Sequence, residues 1–346
     1  MSPRALRPTV LIRADGGHDI GLGHVMRCLS LAAGLKRLGA RVVFVTRARE
    51  RSVLAKIRAA DCAIVGVPVG ISWNADARRL ANLALSMGAR AVVTDSYFID
   101  ASYLGLVKDG GARLLAINDG PGGRFTADLV LNQNAGARRS RYSGARTRFL
   151  LGPRYALLRP SFAHARSLRK RGGTPRVLVM MGGSDSGGLT VRALRSLDAL
   201  SMPFAFDIVA GAAYAGIDAL RLSARKAYHA ATVHHDPKNL VALMGRATLA
   251  VSAASTTSYE LACLGIPAVL LQDLANQRAI IKGLERADCA AGAGAVVPFP
   301  DAKLRTVVGR LLDDPKRLAR MSRAGRRLVD GAGARRVAGL LIGPSR

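Results

Sequence analysis

The stretch Ile12-Arg13-Ala14-Asp15-Gly16-Gly17-His18-Asp19-Ile20-Gly21-Leu22-Gly23-His24-Val25-Met26-Arg27 decides how this chain folds. The run 9–12 predicts a buried strand, and the apolar spacing that begins at His24 predicts a helix. Gly21 and Gly23 allow the backbone to turn sharply between the two. Ligands of an open parallel sheet bind beyond the carboxyl ends of its strands, so His24 stands where a binding site is expected. The alternative is that His24 is a helix-terminal residue hydrogen-bonded in the core.

The rest of the chain alternates strand and helix patterns. Its 346 residues exceed what one hydrophobic core usually supports, so two domains are expected. Short apolar runs alternate with helical spacing through the first half, and the alternation starts again at the apolar run 176–181. Prolines and a basic run interrupt the periodicity between the halves. We therefore predict an α/β fold with an N-terminal domain at 1–160, a C-terminal domain at 172–346 and a linker at about 160–171.

A second glycine-rich turn follows the first strand pattern of the second half. The strand leads into Gly182-Gly183-Ser184-Asp185, and helical spacing resumes at 189–200. This order is similar to the opening of the chain and predicts two Rossmann-like domains that face each other across a cleft. The turn at Gly182, Gly183, Ser184 and Asp185 would offer backbone amides to an anion.

Small hydroxyl residues mark a third candidate site. A strand pattern ends and a helix pattern begins at Ser255, Thr256 and Thr257, whose hydroxyls and amides can bind a diphosphate. Glu260, near the first helical turn, is suited to accept hydrogen bonds from ribose hydroxyls. The alternative is an ordinary helix cap followed by a glutamate that the helix dipole favours.

The composition limits the classes of partner. The formal net charge is +29, from 52 basic and 23 acidic residues, and only nine of the basic residues are lysine. The arginines are dispersed and aromatic residues are 5% of the chain, so no nucleic-acid partner is expected. A positive field suits an anionic small substrate instead.

The chain also lacks the sequence features of membrane and metal proteins. No apolar run approaches the roughly 18 residues that span a bilayer, and a strand pattern begins close to the N-terminus. We therefore expect a cytoplasmic protein without membrane insertion. The four cysteines, Cys28, Cys62, Cys263 and Cys289, are far apart and are expected to be buried thiols. No metal or cofactor is predicted.

Together these motifs resemble the two-domain nucleotide-sugar glycosyltransferase fold called GT-B. The chain is more specifically similar to the UDP-2,4-diacetamido-2,4,6-trideoxy-β-L-altropyranose hydrolases of pseudaminic acid biosynthesis, over roughly residues 11–277. The segments that carry this resemblance are 12–27, Thr94-Asp95-Ser96-Tyr97, Asp128-Leu129-Val130-Leu131-Asn132-Gln133-Asn134, Leu151-Gly152-Pro153-Arg154-Tyr155-Ala156-Leu157-Leu158-Arg159 and Met181-Gly182-Gly183-Ser184-Asp185. Two positions depart from the family pattern: Ser96 stands where a histidine can occur, and Asn118-Asp119-Gly120 stands where two acidic residues are usual.

The resemblance implies hydrolysis of a UDP-sugar at its anomeric carbon, as a step toward surface polysaccharide or flagellin glycosylation. His24 would be the general base that takes a proton from water, and Asp15 would orient the imidazole or bind a sugar hydroxyl. One-step attack by water would invert the anomeric centre without a metal. The residues expected to bind the substrate are Gly21, Gly23, Arg27, Tyr97, Asn134, Gly182, Gly183, Ser184, Asp185, Ser255, Thr256, Thr257, Glu260, Asn276 and Gln277.

Other functions are compatible with the same pattern. A glycosyltransferase would use the same UDP-sugar and pass the sugar to a lipid or glycan. A protein of another class, such as a nucleotide-sugar sensor, would bind without catalysis. The expected partner is the UDP-sugar substrate, and a monomer or weak dimer is expected.

Overall fold

The computed structural model describes residues 7–17, 21–120, 122–166, 173–183, 185 and 187–343. Within that part of the chain the structure is α/β throughout, as the sequence predicts. Ser184, and residues 167–172 at and beside the expected linker, lie outside the described residues.

Strands and helices alternate through the first half of the chain. Its strands are β1 (Thr9–Ala14), β2 (Arg41–Thr46), β3 (Ala63–Gly66), β4 (Ala89–Asp95), β5 (Arg113–Ile117), β6 (Gly123–Arg124), β7 (Leu129–Asn132), β8 (Tyr142–Ser143) and β9 (Arg148–Leu151). Its helices are α1 (Gly23–Arg37), α2 (Arg51–Ala59), α3 (Trp73–Ser86), α4 (Ala101–Lys108) and α5 (Pro160–Ala165).

The second half begins the same alternation again. Its strands are β10 (Arg176–Met180), β11 (Ala205–Ala210), β12 (Ala231–His235), β13 (Leu249–Ala253), β14 (Ala268–Gln272) and β15 (Ala290–Ala295). Its helices are α6 (Leu189–Asp198), α7 (Ile217–Arg225), α8 (Leu240–Gly245), α9 (Thr256–Leu264), α10 (Gln277–Arg286), α11 (Asp301–Leu312), α12 (Pro315–Leu328) and α13 (Gly333–Ile342).

Each half of the chain builds one large parallel sheet, and in the first half β6 and β8 form a separate two-stranded one. In the described residues the first sheet has the order β3-β2-β1-β4-β5-β7-β9 and the second has the order β12-β11-β10-β13-β14-β15. Both are doubly wound, because the chain moves outward from the first strand in one direction and then returns to its other side. The direction changes beside β1 in the first sheet and beside β10 in the second. Ligand sites of such sheets lie at the carboxyl ends of the strands next to this change.

Side-chain alternation in β1 explains why helices cover both faces of the first sheet. Val10 and Ile12 pack into one buried apolar cluster together with Leu31 of α1, whereas Leu11 packs into a second cluster together with Leu80 of α3. Neither face of this strand is exposed, so its sequence is a continuous apolar run rather than an alternating one. The sheet therefore holds the carboxyl ends of its strands at fixed positions.

The chain forms two compact units, Met1–Pro160 with Ala332–Arg346, and Ser161–Gly331. Residues 332–346, which the predicted bounds put in the second domain, group with the first, to which the resemblance to the GT-B fold implied that the final helix could cross back. The physical reason is that the apolar side chains Val337 and Leu341 of α13 pack in the same cluster as α1. Helical periodicity shows that α13 is amphipathic but not which unit it packs against.

The four cysteines are buried and unpaired, as predicted. Burial raises the pKa of Cys263 to about 11 and that of Cys289 to about 12. These two thiols therefore stay protonated at neutral pH, and their role is packing rather than nucleophilic chemistry.

The contact between α1 and α13 predicts a specific sensitivity at Gly34. A β-carbon there would lie 3.0 Å from the carbonyl oxygen of Ala334 and 3.3 Å from the β-carbon of Ala338. We expect Gly34→Val to lower the free energy of unfolding by about 2 kcal/mol, measured by urea denaturation followed by circular dichroism.

The matched control is Gly105→Val in α4, where an added β-carbon meets no atom within 4 Å. Valine and glycine differ little in helix propensity, so the control should stay within about 0.5 kcal/mol of the wild type. Equal destabilisation by both substitutions would contradict the close contact between α1 and α13.

Candidate active site

The turn after β1 brings His24 to the carboxyl edge of the first sheet. Gly21 has a φ of 73°, in the left-handed region that favours glycine, and its carbonyl accepts a hydrogen bond from the Gly17 amide at 3.2 Å. Helix α1 then begins at Gly23 without a side-chain cap. His24 is its second residue and is 5% exposed. An added β-carbon at Gly23 would meet open space, so neither packing nor φ requires glycine there.

The imidazole of His24 is held by a carboxylate from the neighbouring strand. Its Nδ1 lies 2.6 Å from Oδ1 of Asp95, the last residue of β4. An ionised carboxylate only accepts hydrogen bonds, so a contact this short requires the proton to be on Nδ1. The Nε2 atom of neutral His24 therefore carries the lone pair. This tautomer is the one that a general base needs if it acts through Nε2.

Arg27 fixes the charge state of Asp95. Its Nε and Nη2 atoms donate to the two carboxylate oxygens at 2.6 and 2.5 Å, and its Nη1 atom donates to Asp119 at 2.5 Å. Burial alone would raise the pKa of Asp95, but Arg27 and then His24 outweigh burial and hold that pKa well below its usual range. Asp95 is therefore ionised at every pH at which the protein is expected to work.

Arg27 was expected to contact the substrate, but its guanidinium is 5% exposed and already engaged by two carboxylates. Its contacts make it a positioning residue beneath the site. Asp95 lies in a segment that carries the family resemblance, yet no role was predicted for it. The signal that could have identified Asp95 is an acidic residue at the end of an apolar strand pattern, since such residues lie at the ligand-binding edge of a parallel sheet.

Tyr97 and Asn134 follow the carboxyl ends of β4 and β7 in the same unit, and Tyr97 lies beside His24. The ring of Tyr97 meets the imidazole edge to face at 4.6 Å and is largely exposed. The Asn134 side-chain amide donates to Asp119 at 3.4 Å. Strands β1, β4, β5 and β7 are consecutive neighbours in the sheet, so their carboxyl ends bring these side chains together.

Asp15 occupies a neighbouring position with different partners. Its Oδ1 atom accepts from the Arg47 amide at 2.7 Å and from the Thr46 hydroxyl at 3.1 Å, and it pairs with Arg13 at 2.6 Å. Burial would raise the pKa of Asp15, but Arg13 lowers it more. The carboxylate that orients His24 is thus Asp95, whereas Asp15 ties β1 to the end of β2.

In the second unit, the turn after β10 combines two glycines with a capped helix. Gly182 has a φ of 104°, and a β-carbon on Gly182 or Gly183 would meet open space. Asp185 accepts hydrogen bonds from the amides of Leu189 and Thr190, both at 2.8 Å. Its carboxylate therefore occupies the N-terminus of α6, where an anionic ligand was expected.

The hydroxyl segment after β13 forms a capping box, the alternative considered for it. The Ser255 hydroxyl accepts from the Thr257 amide, and the Ser258 hydroxyl accepts from the Ser255 amide, both at 3.3 Å. Thr256, Thr257 and Glu260 remain partly exposed at the first turns of α9. The strands β10 and β13 are neighbours, so this turn and the one at Gly182 lie at the same sheet edge.

Asn276 and Gln277 follow β14 and differ in exposure. Asn276 precedes α10 and is exposed, so it is available to a ligand. Gln277 is buried, and its Oε1 atom accepts from the Asp273 amide at 2.8 Å. Gln277 therefore shapes the loop after β14 through its side-chain oxygen.

Two observations, on metal-binding groups and on membrane-spanning helices, apply only to the residues that the structure describes. No group of three or more His, Cys, Asp or Glu side chains there is arranged to hold a metal ion. None of the described helices combines the length and the apolar character needed to cross a membrane.

No protein-family model matches the chain. It is 28% identical over 341 residues to SpsG, a spore coat polysaccharide biosynthesis protein of Bacillus subtilis (strain 168), with 95% of this chain and 96% of SpsG covered. The crystal structure of MurG from Acinetobacter baumannii matches with a TM-score of 0.71 at 15% identity, covering 97% of this chain and 99% of that one. The rhamnosyltransferase SpnG, complexed with thymidine diphosphate, matches with a TM-score of 0.61 at 14% identity, covering 96% and 98%.

These similarities define the class of fold. The chain has the GT-B architecture of two Rossmann-like units, as the sequence predicts. Its similarity to SpsG extends through nearly the whole length of both chains.

The contact between His24 and Asp95 predicts the tautomer of one histidine. We expect nitrogen-15 NMR above pH 8 to show a protonated Nδ1 and an unprotonated Nε2 for His24. The chain has six histidines, and His24→Gln assigns the signal by its disappearance. Asp95→Asn should lose the preference, because an amide can donate as well as accept. A protonated Nε2 in the wild type would mean that Arg27, 3.1 Å from Nδ1, orients the ring instead.

Proposed function

We propose that this protein hydrolyses a UDP-linked 2,4-diacetamido-2,4,6-trideoxy sugar at the anomeric carbon and releases UDP and the free sugar. The observation that carries the proposal is His24, held by Asp95 with its Nε2 lone pair free at the edge where ligands of this fold bind. The choice of sugar rests on the resemblance to the pseudaminic acid hydrolases. The similarity to SpsG, which is named for spore coat polysaccharide biosynthesis, supports a function in carbohydrate biosynthesis.

In this mechanism His24 takes one proton from water through Nε2. The water oxygen forms a bond to the anomeric carbon, and the bond from that carbon to the phosphate oxygen breaks with its electron pair on UDP. The ionised Asp95 stabilises the imidazolium that forms, because their Nδ1 to Oδ1 distance is 2.6 Å. Attack on the face opposite UDP inverts the anomeric centre.

The second unit supplies groups suited to the leaving diphosphate. A β-carbon added to Gly182 or Gly183 meets no described atom within 4 Å, and Thr256 stands at the first turn of α9 with the helix dipole behind it. Amide and hydroxyl donors at these positions stabilise the charge that develops on UDP and need no reorganisation during the reaction. Protonation of the leaving group adds little because a diphosphate is already stable as an anion.

A second candidate function is transfer of the same sugar to an acceptor alcohol. The solved structures of similar fold include the rhamnosyltransferase SpnG, complexed with thymidine diphosphate. His24 could take the acceptor's proton as readily as that of water, so its geometry does not separate the two reactions.

The test is release of UDP from a panel of UDP-sugars and TDP-sugars, without acceptor and with EDTA present. We expect rapid release from the diacetamido-trideoxy sugar alone, and His24→Gln should lower kcat by about 100-fold or more. Isothermal titration should show unchanged UDP affinity in this variant. Absence of release from every sugar, with UDP still bound, would contradict hydrolysis and favour transfer.

A second prediction concerns Gly23, where we expect a substitution to change activity without lowering stability. Alanine there should leave the thermal midpoint unchanged or slightly raised, since its β-carbon meets open space and alanine favours helix. If the open space at the start of α1 receives the substrate, Gly23→Ala should raise KM about tenfold or more. Full activity in a stable Gly23→Ala variant would remove Gly23 from the binding site.

A further inference from the structure

A buried network of ion pairs lies at the carboxyl end of β1 and has no part in the proposed proton transfer. Arg13 on β1 is fully buried, and its Nε and Nη2 atoms donate to the two oxygens of Asp76 at 3.1 and 2.8 Å. Burial would lower the pKa of Arg13, but Asp76 and Asp15 raise it above its ordinary value. Removing two charges from water is costly, so such a network is weak evidence for stability alone.

The network ends at the only tryptophan of the chain. Asp76 also accepts from Arg47 at 2.8 Å, and the Arg47 guanidinium lies 4.0 Å from the ring centre of Trp73. Trp73 stacks in turn on Phe98, with ring centres 5.5 Å apart and 24° between the planes. The ion pair of Asp76 with Arg47 therefore orients the Trp73 ring. Trp73 and Phe98 both lie at the carboxyl edge of the sheet.

The outer ring of this stack is exposed. Phe98 is 61% exposed, although burying a phenylalanine is normally favourable by about 2 kcal/mol. The Phe98 amide donates to the Ser96 hydroxyl at 3.2 Å. The preceding residue, Tyr97, is equally exposed and meets the His24 ring at 4.6 Å. Phe98 therefore directly follows in the chain the residue whose ring contacts His24.

We propose that Phe98, supported from beneath by Trp73, and Tyr97 form an aromatic platform that binds the apolar face of the substrate's sugar ring. The inference rests on the proposed function and deepens it by naming specificity-determining residues. A trideoxy diacetamido sugar presents methyl groups and ring C–H bonds that favour an aromatic face over a polar pocket. Arg13, Asp76 and Arg47 are positioning residues, because they act on the sugar only through Trp73.

A sugar fits this platform better than a macromolecule. A stable protein interface needs about 800 Å² on each partner, which is far more than two exposed side chains of one loop provide. The Tyr97 ring also contacts the His24 imidazole. The anomeric carbon must lie beside that imidazole in the proposed reaction. The platform therefore suits a ligand small enough to reach both.

Steady-state kinetics on the full-length protein tests the platform. Phe98→Ala should raise KM for the diacetamido-trideoxy UDP-sugar about tenfold with kcat within about twofold, and Phe98→Tyr should restore the wild-type value. The inhibition constant of UDP should not change. The control Tyr228→Ala removes an exposed aromatic ring from the second unit, outside the proposed site, and should leave both constants unchanged.

Trp73 gives a second readout that does not depend on turnover. Because the chain has no other tryptophan, its emission should change saturably on titration with the free 2,4-diacetamido-2,4,6-trideoxy sugar. UDP alone should leave the emission unchanged, and the response to sugar should be lost in Phe98→Ala.

The outcomes separate this inference from the proposed function. If the wild type hydrolyses the UDP-sugar and Phe98→Ala has wild-type KM, the platform is wrong and the hydrolase stands. If no UDP is released but Trp73 responds to the sugar, the platform stands and the hydrolase is wrong. A Trp73 response to phosphatidylglycerol vesicles and not to the sugar would overturn the assignment to a sugar.

Discussion

The ionised carboxylate of Asp95 is the constraint on which the first unit's site depends. A buried carboxylate is tolerated only if every oxygen has a partner, and Arg27 and His24 provide those partners. The same bonds fix the imidazole tautomer and leave the Nη1 group of Arg27 to donate to Asp119. Through Asp119 the pairing extends to Asn134, so residues that follow four different strands share one hydrogen-bonded arrangement. Loss of Asp95 would therefore leave a buried arginine unpaired as well as an unoriented histidine.

Helix α1 of the first unit begins without a side-chain cap, whereas two helices of the second unit are capped. Asp185 and Ser255 satisfy the first amides of α6 and α9 with the protein's own oxygens. A nucleotide diphosphate would need amides that these caps leave open, and the glycines after β10 are candidates because a β-carbon added to Gly182 or Gly183 meets no described atom within 4 Å. Capping and anion binding use the same physical property of a helix end, which is why the hydroxyl segment allowed both interpretations from sequence.

Much of the architecture could be predicted from periodicity. The apolar runs and helical spacings place most strands and helices, and the turns at Gly21 and Gly182 mark the start of each unit. Asp95 could not be given its role, because it lies 71 residues from His24 and meets it only through the non-sequential pairing of β1 with β4. Periodicity alone could not assign α13 to a unit for a similar reason, since an amphipathic helix does not specify which apolar surface covers it, and only the resemblance to the GT-B fold pointed to the first unit.

The amino-acid sequence by itself determined that this chain is a two-part α/β protein with a histidine at the start of its first helix. Those properties follow from local patterns of apolar, glycine and capping residues, which act over a few positions. Only the tertiary structure decided that Asp95 rather than Asp15 holds His24, that Arg27 is buried between carboxylates, and that Trp73 stacks under an exposed Phe98. These contacts join residues that are distant in the chain, and the order of strands in the sheet brings them together.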